Sequence, residues 1–406
     1  MAVNLSPPSL LHPVAGVRIA TCAAGLRYSG RPDVVVFEVA PGSEAAAVFT
    51  RNRFCAAPVS VARDHLARSS PRALVINAGN ANAGTGHAGL ADARACCQAL
   101  ARHLDCAPAQ VLPFSTGVIG EALPVERLVN ALAGCVDRLD ENGWLDAAHG
   151  IMTTDTVAKG ASRRVMLGSH TITVTGIAKG AGMICPDMAT MLAFVATDAN
   201  VDRQALRACI DQAVEHSFNR ITVDGDTSTN DAFVLLASGK AANPRIVSPD
   251  QEGFRLLADA VTAVASELAQ AIVRDAEGAS KFITIEIVEG ASEKDCLEIA
   301  YTIAHSPLVK TAFFASDPNW GRILAAIGRA RIAALDVNAL SIYLDELCVF
   351  SRGARDPGYR EEIGEAIMRK PEVTVRVALA AGTHAARIWT CDLSHDYVRI
   401  NAEYRS

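Results

Sequence analysis

Hydrophobic and polar positions follow two periods along this chain. Runs in which nearly every residue is apolar or β-branched predict strands at 34–39, 73–77, 171–176, 191–197, 232–237, 282–288, 311–315 and 373–379. Between them, apolar residues recur every three to four positions and predict helices at 91–103, 202–216, 250–274 and 293–305. Asp202 and Ser292 stand where an N-cap oxygen would accept from a first-turn N–H. Loops are marked by DGDTSTND (224–231), SDPNWG (316–321) and GARDPG (353–358), which are dense in turn-forming residues. Both element types alternate over the whole length with no repeat, which implies an α/β or α+β chain. No low-complexity linker advertises a domain boundary.

Composition narrows the class. The 406 residues leave room for two to three domains of about 150 residues, or for one large α/β unit with two layers of sheet. A content of 50% hydrophobic and 20% charged residues excludes disorder, collagen-like repeats and a coiled coil. The net charge of −6, with no basic run longer than two, lacks the footprint of a nucleic-acid or anionic-membrane binder. The segment MAVNLSPPSLLHPVAG has no positive n-region and no sustained apolar stretch, so neither a signal peptide nor a membrane span is expected, and the cytoplasm is the default compartment. Eleven cysteines without a C-x-x-C spacing read as reduced, mostly buried thiols.

Short motifs exclude more than they assign. Gly84, Gly86 and Gly89 have dinucleotide-fold spacing, but AGNANA separates them from the strand that should open directly onto them, so the glycines read as a backbone-dense turn. In DGDTSTND, Asp224, Asp226 and Ser228 alternate like calcium ligands, yet Leu235 stands where a bidentate Glu is required. That leaves a polar turn whose Asp and Thr side chains can line a cleft. Ten scattered histidines make no H-E-x-x-H, so no metal is implied, and the absence of G-x-S-x-G removes a hydrolase elbow.

The stretch KGAGMICPDMAT (179–190) runs directly into an apolar strand and places Thr190 at the strand's entrance. Two readings fit. A β-branched residue suits that position for packing alone. Alternatively, Thr190 is an N-terminal nucleophile: its hydroxyl attacks the Ala189 carbonyl, the acyl group shifts from nitrogen to oxygen, and water releases a chain that begins with Thr190. The freed α-amine, with a pKa of about 8 in model peptides, then serves as base for the neighbouring Oγ.

KGAGMICPDMATMLAFVATDA (179–199) resembles the self-processing segment of the ornithine acetyltransferase family, also called glutamate N-acetyltransferase. FTRNRFCAAPV (49–59), NAGNANAGTG (77–86), STGVIG (115–120), TVDGDTSTND (222–231), KTAFFASDPNWGRI (310–323) and YVRINAEYRS (397–406) agree with that family in order. One departure is Asp187, where the family motif carries Asn. The resemblance implies a layered αββα architecture of the N-terminal-nucleophile type, self-cleaved into an α chain, 1–189, and a β chain, 190–406, which remain together as an α2β2 assembly. It implies acetyl transfer from N-acetylornithine to L-glutamate through acetyl-Thr190, without a cofactor, in arginine biosynthesis. Acetyl-CoA is a second candidate donor. Thr116 and Gly117 match the family's oxyanion hole, and Thr153, Lys179, Thr190, Glu277, Asn401 and Ser406 match its substrate contacts. Two other readings remain beside this one: a related amidohydrolase or aminopeptidase, in which water resolves the acyl-threonine, and an uncleaved, non-catalytic binding protein on the same scaffold.

Overall fold

A computed structural model describes residues 2–185 and 191–403. The chain folds as two units, one of Pro7–Asn219 with Asp226–Ile272 and the other of Met1–Ser6, Arg220–Gly225 and Val273–Ser406. In the first unit the strands are β1 (Val17–Cys22), β2 (Val34–Val39), β3 (Glu44–Phe49), β4 (Ala73–Asn80), β5 (Val111–Val118), β6 (Lys159–Leu167), β7 (His170–Lys179), β8 (Leu192–Thr197) and β9 (Ala232–Ala237). They form two sheets, ordered β1-β2-β4-β5 and β3-β9-β8-β7-β6.

The near-continuous hydrophobic runs of β2 and β8 are explained by burial on both faces. On one face, Val35, Phe37, Ile76 and Phe114 of the first sheet meet Leu192, Phe194, Val234 and Leu236 of the second. The Phe194 ring lies 5.6 Å from that of Phe37 and 5.1 Å from that of Phe114, centroid to centroid. Behind the first sheet, Val34, Val36, Val75 and Val111 pack on Cys97 and Leu100 of helix Gly86–His103 and on Leu128 and Leu132 of helix Val125–Val136. Behind the second, a Cβ at Gly176 would stand 3.2 Å from Val264 and 3.1 Å from Leu268, so the absent side chain admits helix Glu252–Arg274. The order of layers is helix, sheet, sheet, helix, as the resemblance implies.

The second unit carries β10 (Phe282–Gly290), β11 (Ser341–Leu344), β12 (Leu347–Ser351), β13 (Ala354–Arg355), β14 (Glu372–Ala378) and β15 (His384–Cys391), ordered β13-β12-β11-β14-β10-β15. Alternation places Ile283, Ile285 and Ile287 with Val373, Val375 and Val377 on one face, against Ile299 and Ile303 of helix Glu293–Ala304 and Ile323 and Ile327 of helix Trp320–Gly328.

Both expected caps are present: Asp202 accepts from Ala205 N–H at 2.8 Å, and Ser292 accepts from Asp295 N–H at 3.1 Å. Residues 311–314 of the strand expected at 311–315 are instead part of helix Pro307–Phe314. Its short apolar run does not distinguish a strand from a buried helix, whereas Ser306 accepting from Val309 N–H and Pro307 in the first turn begin a helix. The loop expected at 316–321 ends early, because a helix starts at Trp320. Helix Glu252–Arg274 is long and apolar enough to cross a membrane, but 61% of its most apolar window is buried inside the protein, which makes it a core helix.

Phe194 is fully buried between the sheets, and truncation would leave a cavity that neither sheet can close. Phe194→Ala should lower the unfolding free energy by about 3–5 kcal/mol, as read from urea denaturation.

Candidate active site

One end of the five-stranded sheet gathers polar groups. The pairings Phe49 with Ala232, Leu192 with Ala232, Lys179 with Leu192 and Lys159 with Ala178 bring the same ends of β3, β9, β8, β7 and β6 together. Thr50, Asp231, Met191, Lys179 and Lys159 therefore lie side by side at that edge, all of them buried. Thr190, the expected nucleophile, precedes Met191 in the chain. Thr190 itself, Ala189 and Asp187 in the same loop, and Ser406 lie outside the described residues.

Asp155 organises one flank. Its Oδ1 accepts from Lys159 Nζ at 2.6 Å and from the backbone N–H of Gly180 at 2.7 Å, while its Oδ2 accepts from Thr153 N–H at 3.1 Å. The carboxylate thus ties the expected substrate residue Thr153 to the backbone beside a second one, Lys179. Burial alone would raise the Asp155 carboxyl. The ammonium groups of Lys159 and Lys179, with the hydrogen bonds from Lys159 and Gly180, overcome that and hold it well below the ordinary carboxylate range.

An asparagine network fixes the other flank. Thr116 and Gly117 lie near the end of β5, where its parallel pairing with β4 is irregular at Gly79 and Asn80. Gly117 has φ +134°, and a Cβ there would stand 2.2 Å from the Gly79 carbonyl carbon, so only glycine fits. Asn77 accepts from Ser115 Oγ at 2.6 Å and donates to the Asn80 carbonyl at 2.8 Å. Asn230 donates to the carbonyls of Ala81 at 2.7 Å and Ser115 at 2.9 Å. Asn230 thereby joins the segment carrying Thr116 to the turn that leads into Asp231 and β9. These hydrogen bonds fix the backbone that carries Thr116 and Gly117.

Glu277 and Asn401 belong to the second unit, where Asn401 Nδ2 donates to Glu277 Oε2 at 2.8 Å. The turn is fastened there because Gly278, at φ +69°, lets Ser394 Oγ donate to its carbonyl at 2.6 Å. Among the described residues no group of His, Cys, Asp and Glu has an arrangement that would hold a metal ion. In the G-x-G-x-x-G stretch, Gly89 leaves space for the Asn82 and Thr85 side chains: a Cβ would come 2.4 Å from Asn82 Oδ1. That glycine serves the packing of a polar turn.

A family model, that of the ArgJ family, matches residues 18–406. The chain belongs to the ArgJ family. It is 57% identical over 396 residues to the arginine biosynthesis bifunctional protein ArgJ of Methylococcus capsulatus, covering 98% of this chain and 97% of that protein. It is 54% identical over 406 residues to the protein of the same name from Pseudomonas fluorescens, covering 100% of each. A crystal structure of the arginine biosynthesis bifunctional protein argJ from Bacillus halodurans is similar at a TM-score of 0.51 and 38% identity, over 53% of this chain and 100% of that one.

Reading the sequence by residue type overlooks Asp155, Lys159, Asn230 and Asp231 in this ArgJ-family chain. The available signal is a run of polar residues set between buried strands, as in NAGNANA and DGDTSTND, since polar groups there must find partners inside the protein. Asp155 and Lys159 have fully buried side chains, and removing one partner strands the other's charge. Asp155→Asn should lower the unfolding free energy by about 3–5 kcal/mol at pH 7. Because folding depresses this carboxyl, its contribution is complete above about pH 4 and is lost as the pH falls toward the folded-state value. Denaturation curves of the wild type and the variant should therefore converge in strong acid.

Proposed function

We propose that this ArgJ-family enzyme is a glutamate N-acetyltransferase of arginine biosynthesis, moving acetyl from N-acetylornithine to L-glutamate through an acetyl ester on Thr190. The observation that carries this reading is the convergence of Lys179, Met191 and Asp231 at the entrance of β8, one residue past Thr190, with the Thr116–Gly117 segment tied to the same edge by Asn230.

The chain is cut between Ala189 and Thr190. β7 and β8, on either side of the cut, are neighbours in one sheet, so ladder hydrogen bonds and the burial of Leu192, Phe194 and Val195 keep 1–189 and 190–406 together. Each such side chain contributes about 1.5–3 kcal/mol, which is ample for a lasting non-covalent association. The Bacillus halodurans chain is covered in full by 53% of this chain. That is the length expected of one product, since residues 190–406 number 217 of 406.

In the first half-reaction Thr190 Oγ attacks the acetyl carbonyl of N-acetylornithine, and its proton passes to the freed α-amine of Thr190. The C–N bond breaks as that proton reaches the departing nitrogen, so ornithine leaves as an amine and the acetyl stays as an ester. Thr116 and the Gly117 N–H meet the oxyanion. The amine of glutamate then attacks the ester and regenerates Thr190. Both amino acids carry an α-carboxylate, which suits an ammonium such as that of Lys179, and the amine of ornithine suits an acidic partner such as Glu277. The reaction needs no cofactor, and acetyl-CoA serves as an alternative acetyl donor. The cut chains assemble as α2β2 in the cytoplasm.

Initial rates against N-acetylornithine at several glutamate levels should give parallel lines, with an adduct one acetyl heavier on the fragment that begins at Thr190. Intersecting lines without an adduct would refute the acyl-enzyme, and equal ornithine release without glutamate would identify a hydrolase. Thr190→Ala should remain a single inactive chain on a denaturing gel, where the wild type gives fragments of 189 and 217 residues. Gly117→Ala should cut turnover by about 10²-fold or more, because neither Gly79 nor Asn80 backbone can yield to a new Cβ.

A further inference from the structure

Asp231 is 1% exposed and has no role in the transfer described above. Parallel pairing sets Leu192 opposite Ala232, so the residues before them, Met191 and Asp231, are also neighbours. Ala232 N–H donates to the Met191 carbonyl at 3.1 Å, and Met191 N–H donates to the Asp231 side chain. Two consecutive residues thus hold both backbone groups of Met191. Asp231 is held in turn by the residue that follows β3, since Thr50 N–H donates to its carbonyl at 2.9 Å.

Its Oδ2, buried as well, has no hydrogen-bond partner among the described residues. A lone oxygen left unmatched in the interior is costly, and the same carboxyl accepts from the N–H of Met191, the residue after the expected nucleophile. Burial pushes the carboxyl well above the ordinary range, outweighing the Ser228 and Thr50 hydroxyls, the Met191 N–H and the Lys179 ammonium. A neutral carboxyl accepts at one oxygen and donates at the other, a pattern that an amide shares and a methyl group lacks.

We propose that Asp231 is a positioning residue for the chemistry at Thr190, fixing the peptide plane between Thr190 and Met191 by hydrogen bonding and not by charge. The inference rests on the reading that the chain is cut before Thr190 and that Thr190 is the nucleophile. The Met191 N–H and the Thr190 carbonyl share one rigid plane, so clamping the first removes a rotation next to the reacting residue. Misplacement of a reacting group by about 1 Å costs on the order of 10²-fold in rate.

Asp231→Asn and Asp231→Ala in the full-length chain test this, with folding checked by circular dichroism and thermal unfolding. Folded Asp231→Ala should process about 10- to 100-fold more slowly and lose kcat by a similar factor, with KM for N-acetylornithine changed less than about threefold. Asp231→Asn should stay within about threefold of wild type in both steps. It should also abolish a loss of stability with rising pH above about 4, because the wild-type carboxyl binds its proton more firmly folded than unfolded. A folded alanine variant that processes and turns over normally would overturn the proposal. So would a folded asparagine variant that is slow, since charge or proton transfer would then be required; this arm decides alone if the alanine variant fails to fold. Active wild type consisting only of the intact chain would remove the Thr190 reading itself, a result distinct from either.

Discussion

Everything proposed for the site depends on β8 being an interior strand, hydrogen-bonded to β7 on one side and β9 on the other. A ladder fixes register, and a slip of one residue would turn every side chain of the strand to the opposite face. With Phe194 locked between Phe37 and Phe114, that slip is forbidden by packing as well as by hydrogen bonds. Met191 consequently has one position relative to Lys179 and Asp231. The chemistry is placed by a buried aromatic residue that takes no part in it.

The same sheet edge treats two buried aspartates in opposite ways. Asp155 and Asp231 both suffer desolvation, which favours the neutral acid. Asp155 has Lys159 in direct contact, Lys179 near by and two N–H groups on its oxygens, and these win, so it stays ionised as the anchor for the two lysines. For Asp231 burial is the largest influence, and it outweighs the Ser228 and Thr50 hydroxyls, the Met191 N–H and the Lys179 ammonium. One edge therefore depresses one buried carboxyl and raises another, although the residue types are identical.

How much of this was legible beforehand follows from the physics of each signal. β2, β8 and β9 announced themselves because strands buried on both faces carry uninterrupted apolar runs. β6, with KGASRRVML, and β15, with HAARIWTC, were not seen, since their mixed composition reflects neighbours rather than an intrinsic preference. The apolar run in helix Pro307–Phe314 reads as a strand by composition, although Ser306 and Pro307 mark a helix start. Thr116, Lys179 and Thr190 were reached through long family strings in one order, not through spacing. Asp155 lies outside those strings and Asp231, at the end of one, shows no role in it, because a buried carboxylate in the fold and a solvated one in a turn look alike until the strands on either side are paired.

The pairing also bears on what sort of base this edge can supply. If the chain is cut before Thr190 as proposed, the new α-amine would be an ammonium in water up to about pH 8. Where β8 begins, Met191 is buried, Lys179 brings a positive charge of its own, and burial disfavours the charged form of Asp231. Desolvation and a like charge both push an amine toward its neutral form. An N-terminal nucleophile needs that form, since only a neutral amine can take the proton from Oγ. An ionised Asp231 would stabilise that ammonium and suppress the base, so the burial that disfavours its charge favours the amine form that the proposed mechanism needs.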